Sequence, residues 1–275
     1  MSEPVWRPVP IPRPVEATEA IAQLPGTQLW YSDTGGSGPA IVLLHAAMGN
    51  PELWAYQQPE FAHAGYRVVN YARRGYYKSD LADANDPGVG SEDLSNLRER
   101  LGLGPVHLVA NAAGGSFALD YTLSYPERVT SLTLVSSTLG ILDRSYVDLC
   151  RSIRPKMFLE LPMEFQELGP SYRAGNPAGT AAWIEREQRS LRAEFVLQKT
   201  AQPLTWKLVD TLEVPVLLIT GEADLYTPPA ILRIQAGYFR QSEMHVIAEA
   251  GHHPEWEQPE AFNRIVLAFL GKHPS

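Results

Sequence analysis

The sequence predicts an α/β fold, a mostly parallel sheet flanked by helices on both faces, with a helical insertion past its middle. Three observations carry this expectation. Residues 40–45 form a continuous apolar run ending in His45, as a strand buried on both faces of a parallel sheet requires. Similar short runs recur at 106–110, 131–136 and 214–221, separated by segments of helical periodicity, which is the pattern of βαβ units. From 137 to 205 the strand pattern lapses and helical stretches replace it.

The chain's 275 residues, 44% hydrophobic and 20% charged, suffice for one large core. Its formal net charge of −8 argues against non-specific attraction to nucleic acid or to anionic membranes, and clusters such as Arg73-Arg74 are too short to alter that. The single cysteine, Cys150, cannot form an internal disulfide and reads as a small buried apolar residue. No apolar run approaches the roughly 18 residues of a membrane span. The N-terminus lacks a charged lead and an apolar stretch, so no signal peptide is expected and a cytoplasmic location is the default. Oligomeric state is open.

Taken in order, prolines 4, 8, 10, 12 and 14 make residues 1–18 an extended arm, laid on its own surface with Trp6 as a candidate contact. A core domain is expected from 19–136 and 206–275, with the insertion at 137–205 between its parts. Thr27 to Asp33 reads as a strand, and Thr34 to Pro39 as a turn. A helix is expected from Pro51 to Ala64 and a strand at Arg67 to Tyr71. Ser91 to Leu101 reads as a helix, with Ser91 able to cap it and Gly102 to stop it. Helices are expected around Arg144 to Ile153 and Thr180 to Lys199, then at Pro229 to Phe239 and Pro259 to Leu270, with a strand at Glu243 to Ile247. Met157, Phe158, Leu161, Met163, Phe165 and Trp183 could supply a substrate pocket or the insertion's own core.

The chemistry centres on Val106-His107-Leu108-Val109-Ala110-Asn111-Ala112-Ala113-Gly114-Gly115-Ser116. A strand ends at Ala110, and Phe117, Ala118, Tyr121 and Thr122 then recur at helical spacing. A sharp strand-to-helix turn demands small residues two places either side of its apex, and Ala110 and Gly114 stand there. This segment resembles the nucleophile elbow of the α/β-hydrolase superfamily, in which a strained turn exposes a serine above a parallel sheet. In this chain Ala112 holds the serine's place, and a methyl group attacks nothing.

The resemblance extends along nearly the whole chain. Leu43-Leu44-His45-Ala46-Ala47 resembles the family's His-Gly-x oxyanion loop, with Ala46 for the usual glycine. Ala72 to Ser79 resembles its Asp-x-Arg-Gly-x-Gly-x-Ser turn, keeping Arg74, Gly75 and Ser79, while Ala72 replaces the aspartate and Tyr77 a glycine. These changes would set two tyrosines near the pocket, and Arg74 reads as an ion pair that steadies the turn. An acid at Asp224 and a histidine at His252 complete the family's order of nucleophile, acid, histidine. An insertion at 137–205 forms, in that family, a cap over the active site.

With serine at 112, the resemblance implies that His252 accepts the hydroxyl proton and Asp224 fixes the imidazole. The N–H groups of Ala47 and Ala113 would receive the oxyanion. Among rivals, His253 lacks the family position directly after the loop glycine, and His45 reads as structural. Glu222 would serve as the acid only if the turn differed, Glu257 matches a structural glutamate, and Ser116 sits a turn too far into the helix. No metal spacing and no dinucleotide or P-loop glycine pattern stands out, so no cofactor is expected.

The expected function is hydrolysis of a carboxylic ester or lactone of a small, largely apolar substrate. Hydrolysis of a carbon–carbon bond by the same triad is the rival enzyme, and a non-catalytic ligand-binding protein the rival from another class. Ala112 is explained by laboratory replacement of a serine, by natural loss, or by an accidental turn in another fold. Retention of Asp224 and His252 favours replacement.

Overall fold

The structure, a computed structural model, describes residues 8–191 and 196–274. Trp6 lies outside the described residues. The arm from residue 8 has no regular structure, and the Tyr56 hydroxyl holds it by donating to the Val9 carbonyl (2.8 Å).

The first part of the chain forms β1 (Thr18–Leu24), β2 (Thr27–Asp33), β3 (Ala40–Leu44), α1 (Gln57–His63), β4 (Arg67–Tyr71), α2 (Gly90–Arg100), β5 (Val106–Asn111), α3 (Ala113–Ser124) and β6 (Val129–Val135). Four helices follow, α4 (Arg144–Ser152), α5 (Met163–Glu167), α6 (Pro170–Gly175) and α7 (Pro177–Glu187). The rest comprises α8 (Trp206–Val209), β7 (Val216–Gly221), α9 (Pro229–Ala236), β8 (Ser242–Ile247), α10 (Pro254–Glu257) and α11 (Pro259–Leu270).

The eight strands make one sheet in the order β1-β2-β4-β3-β5-β6-β7-β8, antiparallel at β1, β2 and β4 and parallel from there on. Period-two alternation sends Val42, Leu44, Leu108, Ala110, Leu132 and Leu134 to one face, where Leu94 and Leu97 of α2, Phe117 and Tyr121 of α3 and Ile231 of α9 cover them. Ile41, Leu43, Val109, Val135 and Ile219 face the other way, onto Phe61 of α1 and Phe262, Val266 and Phe269 of α11. Both faces are therefore dry, which is why the central strands read as unbroken apolar runs.

Several elements differ from the sequence reading. β1 follows the arm at once and went unread, because as an edge strand it is largely exposed and carries no apolar run. The stretch from Pro51 is not one helix: Asn50 caps a 3-10 turn, Pro51–Trp54, and α1 starts afterwards. Ser91 is no cap, since α2 begins at Gly90 with Val89 in that position and Ser91 is buried in its first turn. The helix expected to reach Lys199 is α7, capped by Asn176 and ended at Glu187; residues 192–195 of that stretch lie outside the described residues.

The helices between β6 and β7 pack down onto the sheet's C-terminal edge. Leu168, Tyr172 and Trp183 form an apolar cluster with Leu53, Tyr56 and Trp256. Trp183 thus belongs to the core of this contact, while Met157 and Phe165 are exposed. Among the described residues no helix is long and apolar enough to cross a membrane.

Candidate active site

The parallel register places the site. Leu44 pairs with Ala110, and Asn111 with Val135, so the loops after β3, β5 and β6 leave the sheet side by side. At the β5 to α3 turn Ala112 adopts φ 47°, ψ −115°, a conformation that L-residues avoid. Its amide donates to the Val135 carbonyl (2.9 Å), and its own carbonyl accepts from the Gly115 amide (3.0 Å) and the Ser137 hydroxyl (2.6 Å). A Cβ on Gly114 would come within 2.5 Å of the Leu44 carbonyl oxygen, so only glycine lets α3 approach β3 this closely. Gly114 is a glycine for this reason.

Asp224 and His252 meet as expected. Nδ1 of His252 lies 2.9 Å from each Asp224 carboxylate oxygen. Asp224 is fixed in turn: Oδ1 accepts from the amides of Tyr226 (2.7 Å) and Thr227 (3.0 Å), and Oδ2 from the hydroxyls of Thr220 (3.0 Å) and Thr227 (3.2 Å). Burial alone would raise the Asp224 pKa, but the His252 charge and these hydrogen bonds outweigh it and hold the carboxyl at about 2. Burial would likewise lower the His252 pKa, yet the charges of Asp224 and Glu167 overcome it and raise the imidazole above its ordinary value.

Ala112, Ala113, Ala47 and His252 line one cavity of about 230 Å³. The Ala113 amide is the first of α3 and so has no partner within the helix. His45 is structural: Nδ1 bonds the Ala46 carbonyl (2.8 Å), Nε2 accepts from the Arg73 amide (3.2 Å), and burial keeps the ring neutral by pushing its pKa well below the usual range. The buried Arg73 guanidinium donates to the carbonyls of His45 (3.1 Å) and Ala46 (3.0 Å), fastening the loop that carries Ala47. Arg74 pairs with Asp93 at 2.7 Å.

The remaining candidates fall outside the relay. Glu222 accepts from the Glu249 amide (3.2 Å), and the His253 ring bonds Glu255 through Nδ1 (2.8 Å). Neither Tyr76 nor Tyr77 lines the cavity, contrary to expectation: Tyr76 packs edge-on to His45, and Tyr77 to Trp30. Ser116 does reach the cavity wall.

The sequence reading missed Ser136, Arg154, Glu167 and Tyr226, all of which line the cavity. Ser136 follows β6 directly with φ 48°, and its buried hydroxyl has no partner among the described residues. Arg154 lies over the Tyr226 ring at 5.0 Å and over Phe158 at 5.6 Å, its Nε buried and unpartnered among the described residues. From the insertion, then, the cavity receives charged side chains in place of the apolar ones first considered. Nothing in the sequence marks Glu167, because no pattern aligns an insertion with the sheet it covers.

Glu257 explains how the insertion is seated. Its carboxylate accepts from the amides of Gly169 (2.8 Å) and Gly251 (2.9 Å), while the His252 amide donates to the Glu167 carbonyl (2.7 Å). The backbones meet so closely that a Cβ on Gly251 would lie 2.4 Å from the Gly169 nitrogen.

The ends of a mostly parallel sheet here gather a strained apex, the loop bearing Ala47 and an Asp–His pair around one cavity. The chain belongs to the alpha/beta hydrolase family, whose sequence profile matches residues 41–265. It is 30% identical over 278 aligned positions to a 2-hydroxy-6-oxononadienedioate/2-hydroxy-6-oxononatrienedioate hydrolase of Burkholderia vietnamiensis, covering 89% of this chain and 92% of that one. An esterase from Thermogutta terrifontis shares the fold at a TM-score of 0.76 and 23% identity, over 95% of this chain and all of the esterase (100%). An enol-lactonase from Burkholderia xenovorans does so at 0.73 and 21%, over 92% and 100% of the two chains.

Proposed function

We propose that this cavity is built for hydrolysis of a small ester or lactone through a Ser-His-Asp relay, and that Ala112 marks a serine-to-alanine exchange which blocks the covalent step. The observation that supports this above all is the Ala112 backbone. A strained φ of 47° at a non-glycine residue persists only where the surroundings impose it, and alanine gains nothing from being displayed there. A serine hydroxyl at that apex would have His252 as its base, Asp224 behind the imidazole, and the amides of Ala47 and Ala113 for the oxyanion. The insertion at 137–205 would act as the cap that selects the substrate.

The Ala112→Ser protein tests this. Mixed with p-nitrophenyl acetate it should release a burst of nitrophenolate equal to the enzyme present, and a fluorophosphonate should label position 112. A folded Ala112→Ser protein that shows neither would leave the ligand-binding reading in its place.

Carbon–carbon bond hydrolysis is favoured as a second reading by two observations. The relative from Burkholderia vietnamiensis is named for a dienedioate, a doubly anionic substrate, and Arg154 offers this cavity a guanidinium with an unpartnered Nε. Under this reading Ala112→Ser should cleave 2-hydroxy-6-oxononadienedioate with a higher kcat/KM than any p-nitrophenyl ester.

A further inference from the structure

The hydrolytic reading leaves one buried group at the heart of the cavity unused. Glu167, the last residue of α5, lies with Oε2 4.0 Å from Nε2 of His252 and 3.3 Å from Nε2 of His253. Its backbone carbonyl takes the His252 amide, and two residues on the Gly169 amide is held by Glu257, so carboxylate and imidazole are positioned by one stitched segment. Ala112 presents a methyl group to the same cavity. The Nε2 edge of His252, where the relay would meet a hydroxyl, therefore faces a carboxylate.

We propose that Glu167 is the general base of this chain, activating a water molecule that attacks the substrate carbonyl directly, with His252 as the acid. This rests on reading the cavity as hydrolytic and replaces only the covalent step. The carboxylate of Glu167 takes a proton from water while the water oxygen bonds to the carbonyl carbon. The carbonyl electron pair moves to oxygen, where the amides of Ala47 and Ala113 receive it. As that pair re-forms the carbonyl, the bond to the leaving alkoxide breaks, and the alkoxide takes the Nε2 proton of His252. The products are the acid and the alcohol. The proton on Glu167 then passes to His252, and both groups are restored.

The surroundings suit this division of labour. Water attack needs an ionised base beside a protonated acid, that is, two groups whose environments drive their pKa values apart. His252 is raised, as described. The groups facing His252 are Asp224 at Nδ1, Glu167 at Nε2, and the rings of Tyr226 (4.3 Å) and His253 (5.9 Å). Glu167 meets His252, His253 and Tyr226, with Glu187 the further charge that senses it.

The test uses the full chain with p-nitrophenyl acetate. The chain with Ala112 should hydrolyse the ester without a burst, and Glu167→Gln should lower kcat by about 100-fold with KM nearly unchanged, the low end for a general base. Glu167→Asp should restore part of the rate. The pH profiles should run oppositely: with Ala112, kcat/KM falls at alkaline pH as His252 loses its proton. In the Ala112→Ser, Glu167→Gln protein it rises with pH, because neutral His252 is then the base. Glu167→Gln that is folded, by circular dichroism, and as active as its parent overturns the proposal. So does an inactive Ala112 chain beside an active Ala112→Ser protein, which leaves the hydrolase reading standing. Inactivity of both removes the two together.

Discussion

Glu257 accepts a 2.8 Å hydrogen bond from the amide of Gly169, and so ties a helical insertion to the loop that carries His252. Its other oxygen serves the Gly251 amide at 2.9 Å. Removing the carboxylate leaves three buried N–H groups without this acceptor, those of Gly169, Gly251 and, at 3.4 Å, His253. Glu257→Ala should therefore destabilise the protein by about 3 kcal/mol, as read from urea unfolding, and Glu257→Gln, which keeps one acceptor, by less.

Stability should fall on the alkaline side. His253, between Glu255 and Glu167, is raised to about 10 because those charges overcome its burial. Burial pushes Glu257 up to about 8 against the amides it binds. A group raised on folding contributes most below its unfolded pKa and loses that contribution as pH rises through the folded one. For Glu257 the window runs from 4.5 to about 8, and for His253 from 6.5 to about 10. Urea midpoints measured at pH 6, 8 and 10 should decline in order, and His253→Gln should flatten the last step.

Strain at the apex is measurable. Replacing Ala112 by glycine removes a disfavoured φ at some cost in unfolded-chain entropy, and should leave a net gain of about 1 kcal/mol. A loss of stability in thermal unfolding would show that the bend costs the alanine nothing.

Asp224 matters only if His252 works on protons. In the Ala112→Ser protein, Asp224→Asn should lower kcat by about 10⁴-fold with little change in KM, because the imidazole is then held in the wrong tautomer.

Arg154 should discriminate by charge. In the Ala112→Ser protein, Arg154→Gln should raise KM about 10-fold for the mono-p-nitrophenyl ester of succinate, the loss of one charge-assisted hydrogen bond. For the uncharged acetate it should not. Equal effects on both esters would assign Arg154 to packing against Tyr226.

The parts of this molecule that repeat with the period of a strand or a helix were legible beforehand. Ala40–Leu44 is buried on both faces and reads so, and Asp224 and His252 stand at the ends of such elements, where topology alone brings them within 2.9 Å. β1 was missed because it buries only Ala22 and carries no apolar run. Glu167 was missed for a different reason: its place depends on how α5 seats against the loop after β8, a long-range contact made through backbone amides and one glutamate. Side-chain patterns do not record such contacts. Arg73 was likewise read only as charge, although its guanidinium braces the loop bearing Ala47 through two carbonyls.

The closeness of Gly169 to Gly251 bears on how anything enters or leaves. A segment fastened in this way to the loop after β8 cannot swing by itself: lifting the stretch around Glu167 would drag the amide of His252 with it and pull the ring from Asp224. An open molecule would then be a disarmed one, its imidazole parted from the carboxylate that steadies it.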